Sequence, residues 1–240
     1  MDNTISVGMN RTGLDMAPKS KDTLIAFSQE QAGRASQDPD GIDELRKVVA
    51  LEADRVGTVP VPARLKGMAS TVMDKLKGAN PEVLIDKLGE RLAFERTGVR
   101  LYEALIVKVS AANSGPVVDI GELQQIRDDE LSHFQLLARC LQQIGADPTA
   151  MTPCADITGV QALGHLQVLT DPRTTVSQAL SSILQIELAD NASWELLVEL
   201  AQAAGHDEMA QSFTAAMATE AHHLQLVQAW MRQAVLEEAT

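Results

Sequence analysis

Two short motifs carry the residues best suited to chemistry: Glu130-Leu-Ser-His133 and Glu220-Ala-His-His223. Each follows an isolated glutamate at a similar distance, Glu95 lying 35 positions before Glu130 and Glu187 lying 33 before Glu220. On a helix, a glutamate and a histidine three apart share one face, so both can reach the same ion. Two such pairs, each with its own upstream glutamate, make the donor set of a carboxylate-bridged two-metal centre inside a helical bundle. The expected metal ligands are therefore Glu95, Glu130, His133, Glu187, Glu220 and His223.

Energetics make a cation the natural reason for the pattern. Four ionised carboxylates in a dry core would each cost several kcal/mol in desolvation and would repel one another. Two divalent ions bring four positive charges to four glutamates, and the filled site is nearly neutral. Oxygen with imidazole suits iron or manganese, and zinc less exclusively.

Such donors need four long elements to aim them. Asn80-Pro81 places a cap and a proline at a helix start, and the apolar pattern then runs to about Ser110. Asp119 with Glu122 has capping-box spacing and opens a second helix that stops near Gly145. Asp171-Pro172 is expected to open the third, ending at Gly205, and Asp207 the fourth. Helices of roughly 26 to 30 residues are about 40 Å long at ~1.5 Å per residue. Short loops join the first pair and the second pair, so each pair should be antiparallel. The longer connection from Gly145 to Asp171 can travel that length and set the third helix parallel to the second.

The apolar seams pass through the donors. They run Leu88, Leu92, Glu95, Val99, Tyr102, Ile106; then Leu123, Ile126, Glu130, His133, Leu137, Cys140; then Leu180, Ile183, Glu187, Asp190, Trp194, Leu197; and finally Phe213, Ala216, Glu220, His223, Val227, Trp230. Each keeps the rhythm of a core-facing stripe and is interrupted by acid or imidazole near its middle. Glu90, Glu103, Glu195 and Glu199 fall off the seams and are expected in solvent.

Residues 1–80 read as an arm with short helices and a linker ahead of a bundle over 81–240. Ile42, Leu45 and Val49 could form one amphipathic turn pair and Leu65, Met68, Val72 and Leu76 another, with Gly57 to Pro62 extended.

Composition fits this plan. Hydrophobic residues make up 45% but aromatics only 3%, and the wealth of Ala, Leu, Gln and Glu favours an all-α fold. A net charge of −13 argues against nucleic acid and anionic membrane as partners. No apolar run approaches the ~20 residues of a spanning helix, and no secretory leader is evident. Two cysteines without a CxxC pair, Cys140 and Cys154, point to a reducing cytoplasm.

The segments LGERLAFERTGVRLYEAL (88–105) and DDELSHFQLL (128–137) resemble the ferritin-like superfamily of di-iron carboxylate proteins, and within it a bacterial rubrerythrin-like branch. Rubrerythrins, bacterioferritins, manganese catalases and di-iron hydroxylases belong to that superfamily. The resemblance spans about residues 81–236 and implies a ferritin-like four-helix bundle with one long crossover. It implies Glu95 and Glu187 as terminal ligands, Glu130 and Glu220 as bridges, and His133 and His223 each completing one metal. The chain lacks the four cysteines of a rubredoxin module. Gly98 follows Glu95 by three where Asp190 follows Glu187 by three, so the two halves are not equivalent.

Three further residues stand near the site. Asp190 is either a seventh ligand or a hydrogen-bonding neighbour. Asp129 either reaches the histidine of a facing helix or stays solvated. Tyr102, the only tyrosine, is a core residue, a hydrogen-bonding neighbour or a radical carrier. His222 points about 100° away from His223, and His165 and His206 are expected in loops.

The expected cofactor is two iron ions, with manganese the alternative. The expected chemistry is reaction with O2 or peroxide as an oxidase, peroxidase or ferroxidase, with an electron donor that the sequence does not identify. A mono-oxygenase of an organic substrate and a non-catalytic metal-binding or storage protein are the other readings. The assembly expected is a homo-oligomer, a dimer before a cage, since the arm lies outside a compact subunit.

Overall fold

A computed structural model describes residues 22–23, 25–27, 29–30, 39–54, 56–60, 80–112 and 118–240. Every regular element among them is helical. We number the helices α1 (Pro39–Glu52), α2 (Pro81–Ala111), α3 (Ile120–Gln143), α4 (Pro153–Thr170), α5 (Val176–Ala203) and α6 (Asp207–Ala239). None of the described helices is long and apolar enough to cross a membrane.

Contacts divide the described residues into two units, one within Thr4–Val56 and one within Gly57–Thr240. In the smaller unit, α1 carries Ile42, Leu45 and Val49 at helical spacing, as expected. Its i,i+3 ion pairs, Arg46–Asp43 at 3.4 Å and Lys47–Glu44 at 3.5 Å, are exposed and contribute little. The pattern from Leu65 to Leu76 lies outside the described residues. The larger unit begins within the stretch read as a linker, where Val59 packs on the core.

Local chemistry sets the helix ends. Pro81 opens α2, although Asn80 makes no side-chain cap. The Asp119 carboxylate accepts from the Glu122 N–H at 3.0 Å and caps α3. Gly145 (φ +84°) and Gly205 (φ +75°) take the left-handed turn that ends α3 and α5, where Ala146 N–H reaches Leu141 O at 2.9 Å and His206 N–H reaches Ala201 O at 2.8 Å.

Two expectations need correction. The long connection after α3, where a loop is expected around His165, holds a helix, α4, capped by Thr152 with Pro153 in the first turn. Only Ala155, Thr158 and Leu169 of α4 are buried, and its apolar residues are spread around the axis, so no stripe announced it. Helix α5 starts at Val176, four residues later than Pro172. Thr175 and Gln178 form its capping box, while Asp171 accepts from Arg173 and ends α4.

Two apolar clusters give the helix directions. One joins Leu84, Leu88 and Leu92 of α2 with Leu137 of α3, Trp194 and Leu197 of α5, and Phe213 of α6. The other joins Leu101 and Leu105 of α2 with Leu123 and Ile126 of α3, Leu180 and Ile183 of α5, and Val227 and Trp230 of α6. Thus α2 and α6 run one way, and α3 and α5 the other. Helix α4 follows α2: Cys154 N–H donates to Asp86 near one end at 2.9 Å, and Lys108 Nζ donates to Asp171 O near the other at 2.8 Å. By covering α2, it buries Gly89 against Thr152, where a Cβ would come within 2.5 Å of the hydroxyl. That second buried face explains why Leu101 and Leu105 are buried while Val99 and Ile106 of the expected seam are only half-buried.

Candidate metal centre

Between the two apolar clusters lies a buried polar layer. Glu95, Glu130, His133, Glu187, Asp190, Glu220 and His223 are all 7% exposed or less. Burial there follows from phase: each donor replaces an apolar residue on the core stripe of its helix. All six expected ligands meet. Donor atoms of Glu130, Glu187, Glu220 and His223 lie within 4.8 Å of one another, as do those of Glu95, His133 and Glu220. Glu95, Glu130, Asp190 and Glu220 make a third such group.

Glu220 sits between the two histidines. Its Oε1 is 2.6 Å from His133 Nδ1, and its Oε2 is 3.0 Å from His223 Nδ1. Each imidazole thus turns Nδ1 inward, and Glu95 Oε2 is 3.8 Å from His133 Nδ1. On its outer side, His223 Nε2 meets Asp129 Oδ2 at 3.2 Å. Asp129 therefore does reach the histidine of a facing helix. An Nε2–H donated to Asp129 leaves a lone pair on Nδ1, directed at Glu220, and two such acceptors need a proton or a cation between them.

Glu187 and Glu95 are each held by one oxygen. Tyr102 donates its hydroxyl to Glu187 Oε1 in a short hydrogen bond, and Arg91 Nε donates to Glu95 Oε1 at 2.9 Å. Arg91 also pairs with Asp190. This guanidinium is only 2% exposed and lies 3.8 Å over the Phe94 ring, a cation–π contact.

The sequence reading missed Arg91, although its place four residues before Glu95 was the available signal. It also missed Asn191, whose amide donates to Glu187 O at 2.9 Å and Glu220 O at 3.1 Å and ties α5 to α6 beside the donors. Trp194, expected on the seam, packs edge-on against His133 with centroids 5.4 Å apart. His222 is exposed; His165, expected in a loop, is on α4 with Nδ1 2.9 Å from Ser182 Oγ.

Gly98 makes room for a donor. A Cβ there would lie 2.1 Å from Glu130 Oε2, so the missing side chain is the space the carboxylate occupies. On the other half, the Asp190 side chain fills the corresponding position, with a carboxylate oxygen within 4.8 Å of Glu220.

The protein groups alone are electrostatically overloaded. Burial, then Asp190, raises Glu95 and Glu187 from 4.5 to about 8. Burial and the acids beside them hold Glu130 and Glu220 well above the carboxylate range. Burial lowers His133 to about 4 and lowers His223 too, with Asp129 pulling the latter back. Burial, then Glu187, lifts Tyr102 well above 10.

The residues fit a pair of cations. Glu95 Oε2, Glu130 Oε2, Glu187 Oε2, Glu220 Oε1 and His133 Nδ1 are buried without a hydrogen-bond partner. Among the described residues, five buried carboxylates face a single buried guanidinium, and two divalent ions would close that difference in charge. Such a cluster of carboxylates and imidazoles could hold metal. The chain matches no family model, no curated protein and no solved structure.

Proposed function

We propose that the chain is a ferritin-like four-helix bundle whose buried layer binds two metal ions, iron or manganese, and reacts with O2 or peroxide. The observation that carries the reading is Glu220, which presents one carboxylate oxygen to each inward-facing histidine nitrogen. Glu95 with His133 would hold one ion, and Glu187 with His223 the other, Glu130 and Glu220 lying between them. Two such ions supply adjacent one-electron centres to a small oxidant.

The chain's own residues prepare that chemistry. Tyr102 and Arg91 each hold one oxygen of a terminal glutamate and leave the other free. Asp129 sets the tautomer of His223. The raised glutamates carry protons while no cation is present and give them up on loading. The apolar clusters above and below exclude water.

Burial of all the donors favours a small oxidant over an organic substrate. The cavity beside Arg91, lined by Lys87, Glu90, Phe94, Ser193 and Leu197, has about 30 Å³ of room. That is space for one or two water-sized molecules.

Anaerobic loading with ferrous iron, followed by air, tests the proposal. The expected result is near-ultraviolet ferric charge-transfer absorption with consumption of O2. Ferrous iron that binds and stays unoxidised would leave a non-catalytic metal protein; failure to bind would refute the site altogether.

A further inference from the structure

We propose that the two metal positions are unequal, the Glu187–His223 position binding first and tightly and the Glu95–His133 position second and weakly. This rests on the two-metal reading above and concerns how this chain's residues distribute affinity between the positions.

Two independent contacts point the same way. Both terminal glutamates are held through Oε1, but by different donors. Tyr102, which holds Glu187, is a neutral phenol and leaves the negative charge of the carboxylate available. Arg91, which holds Glu95 at 2.9 Å, is a full cation. It draws electron density from the carboxylate and sets a positive charge beside the ion that Glu95 would bind. The same guanidinium takes Asp190, the one further acid grouped with Glu95, Glu130 and Glu220. Arg91 thereby occupies both acids that could strengthen the first position.

The histidines differ in the same sense. His223 Nε2 lies 3.2 Å from the Asp129 carboxylate, a partner that raises the basicity of the inward nitrogen. Asp129 is the residue before Glu130; the corresponding residue before Glu220 is Thr219, whose hydroxyl turns back to Ala215 O at 3.4 Å. No carboxylate backs His133 Nε2 among the described residues. The Glu187–His223 position therefore has the better terminal oxygen and the better imidazole.

Titration of the metal-free protein with Co(II), followed by visible absorption and calorimetry, reads this without turnover. Two steps are expected, with dissociation constants at least about tenfold apart. Glu95→Gln should keep the tight step and lose the weak one; Glu187→Gln should lose the tight step. Asp129→Asn, at a half-exposed position where folding is not at stake, should weaken the tight step about 10- to 100-fold. Equal binding of two ions in one step would overturn the inequality while leaving the two-metal reading intact. So would a tight step that Glu95→Gln abolishes. Absence of any Co(II) binding would overturn both.

Discussion

The half of the buried polar layer built from α2 and α3 and the half built from α5 and α6 present the same residue types on different backing. Stepping equal distances from Glu95 and Glu187, Arg91 corresponds to Ile183, Gly98 to Asp190 and Tyr102 to Trp194. The first half gives up a side chain at Gly98 so that Glu130 can enter, and carries the buried cation. The second fills that position with an acid. These departures compensate one another, because the extra carboxylate of Asp190 is neutralised across the interior by Arg91. A repeated donor set can thus keep its charge balance while its two halves diverge, provided that they diverge together.

The largest expected effect comes from breaking that compensation. Arg91→Met strands Asp190 and Glu95 without a counter-charge and should cost about 3 to 5 kcal/mol in urea denaturation. Adding Asp190→Leu should restore most of it. A loss under about 1 kcal/mol in the single variant would show that the pair does not balance the halves.

Gly98→Ala attacks the first half through space instead of charge. A Cβ 2.1 Å from Glu130 Oε2 must displace the carboxylate, so metal affinity should fall at least about tenfold in equilibrium dialysis. Replacing glycine within a helix offsets part of the strain by about 1 kcal/mol, so the metal-free fold should survive. Gly159→Ala on α4, with nothing within 4 Å of the added Cβ, is the matched control and should leave metal binding unchanged.

Both halves should respond to pH together. Glu95 and Glu187 move from 4.5 to about 8 in the folded protein, so the native state binds protons that the unfolded chain releases. That contribution is complete below pH 4.5 and is lost as pH rises towards 8. His133, lowered from 6.5 to about 4, acts oppositely, but only below 6.5. Between 6.5 and 8, metal-free protein should lose about 1 kcal/mol per pH unit or more, a slope that saturating metal should remove. A flat profile without metal would argue against the buried acids as the source. Smallest of all, Tyr102→Phe removes one hydrogen bond to Glu187 and should cost about 0.5 to 1.5 kcal/mol without changing metal content.

The donors were legible because a polar residue in phase with an apolar stripe has few explanations, and six of them in two matched sets have fewer. Glu220 and His223 stand out between Ala216 and Val227 for that reason. Arg91 was harder to read: a long cation on a helix normally reaches solvent, and besides Glu95 one turn on, it is Asp190 on a helix a hundred residues away that makes its burial sensible. Helix α4 escaped because Pro153 and Gly159 read as loop residues and its apolar side chains follow no single face. Proline at the first turn, behind the Thr152 cap, was the overlooked sign. Gly98 drew notice as an asymmetry, but its purpose needed the position of Glu130 on a different helix.

The most direct test is elemental analysis of the purified chain beside its Glu220→Gln variant, since Glu220 takes part in every donor group. Two iron or manganese ions per chain are expected for the unaltered protein, and less than one for the variant. A chain that purifies and refolds without metal, or a variant that keeps both ions, would contradict the two-metal reading.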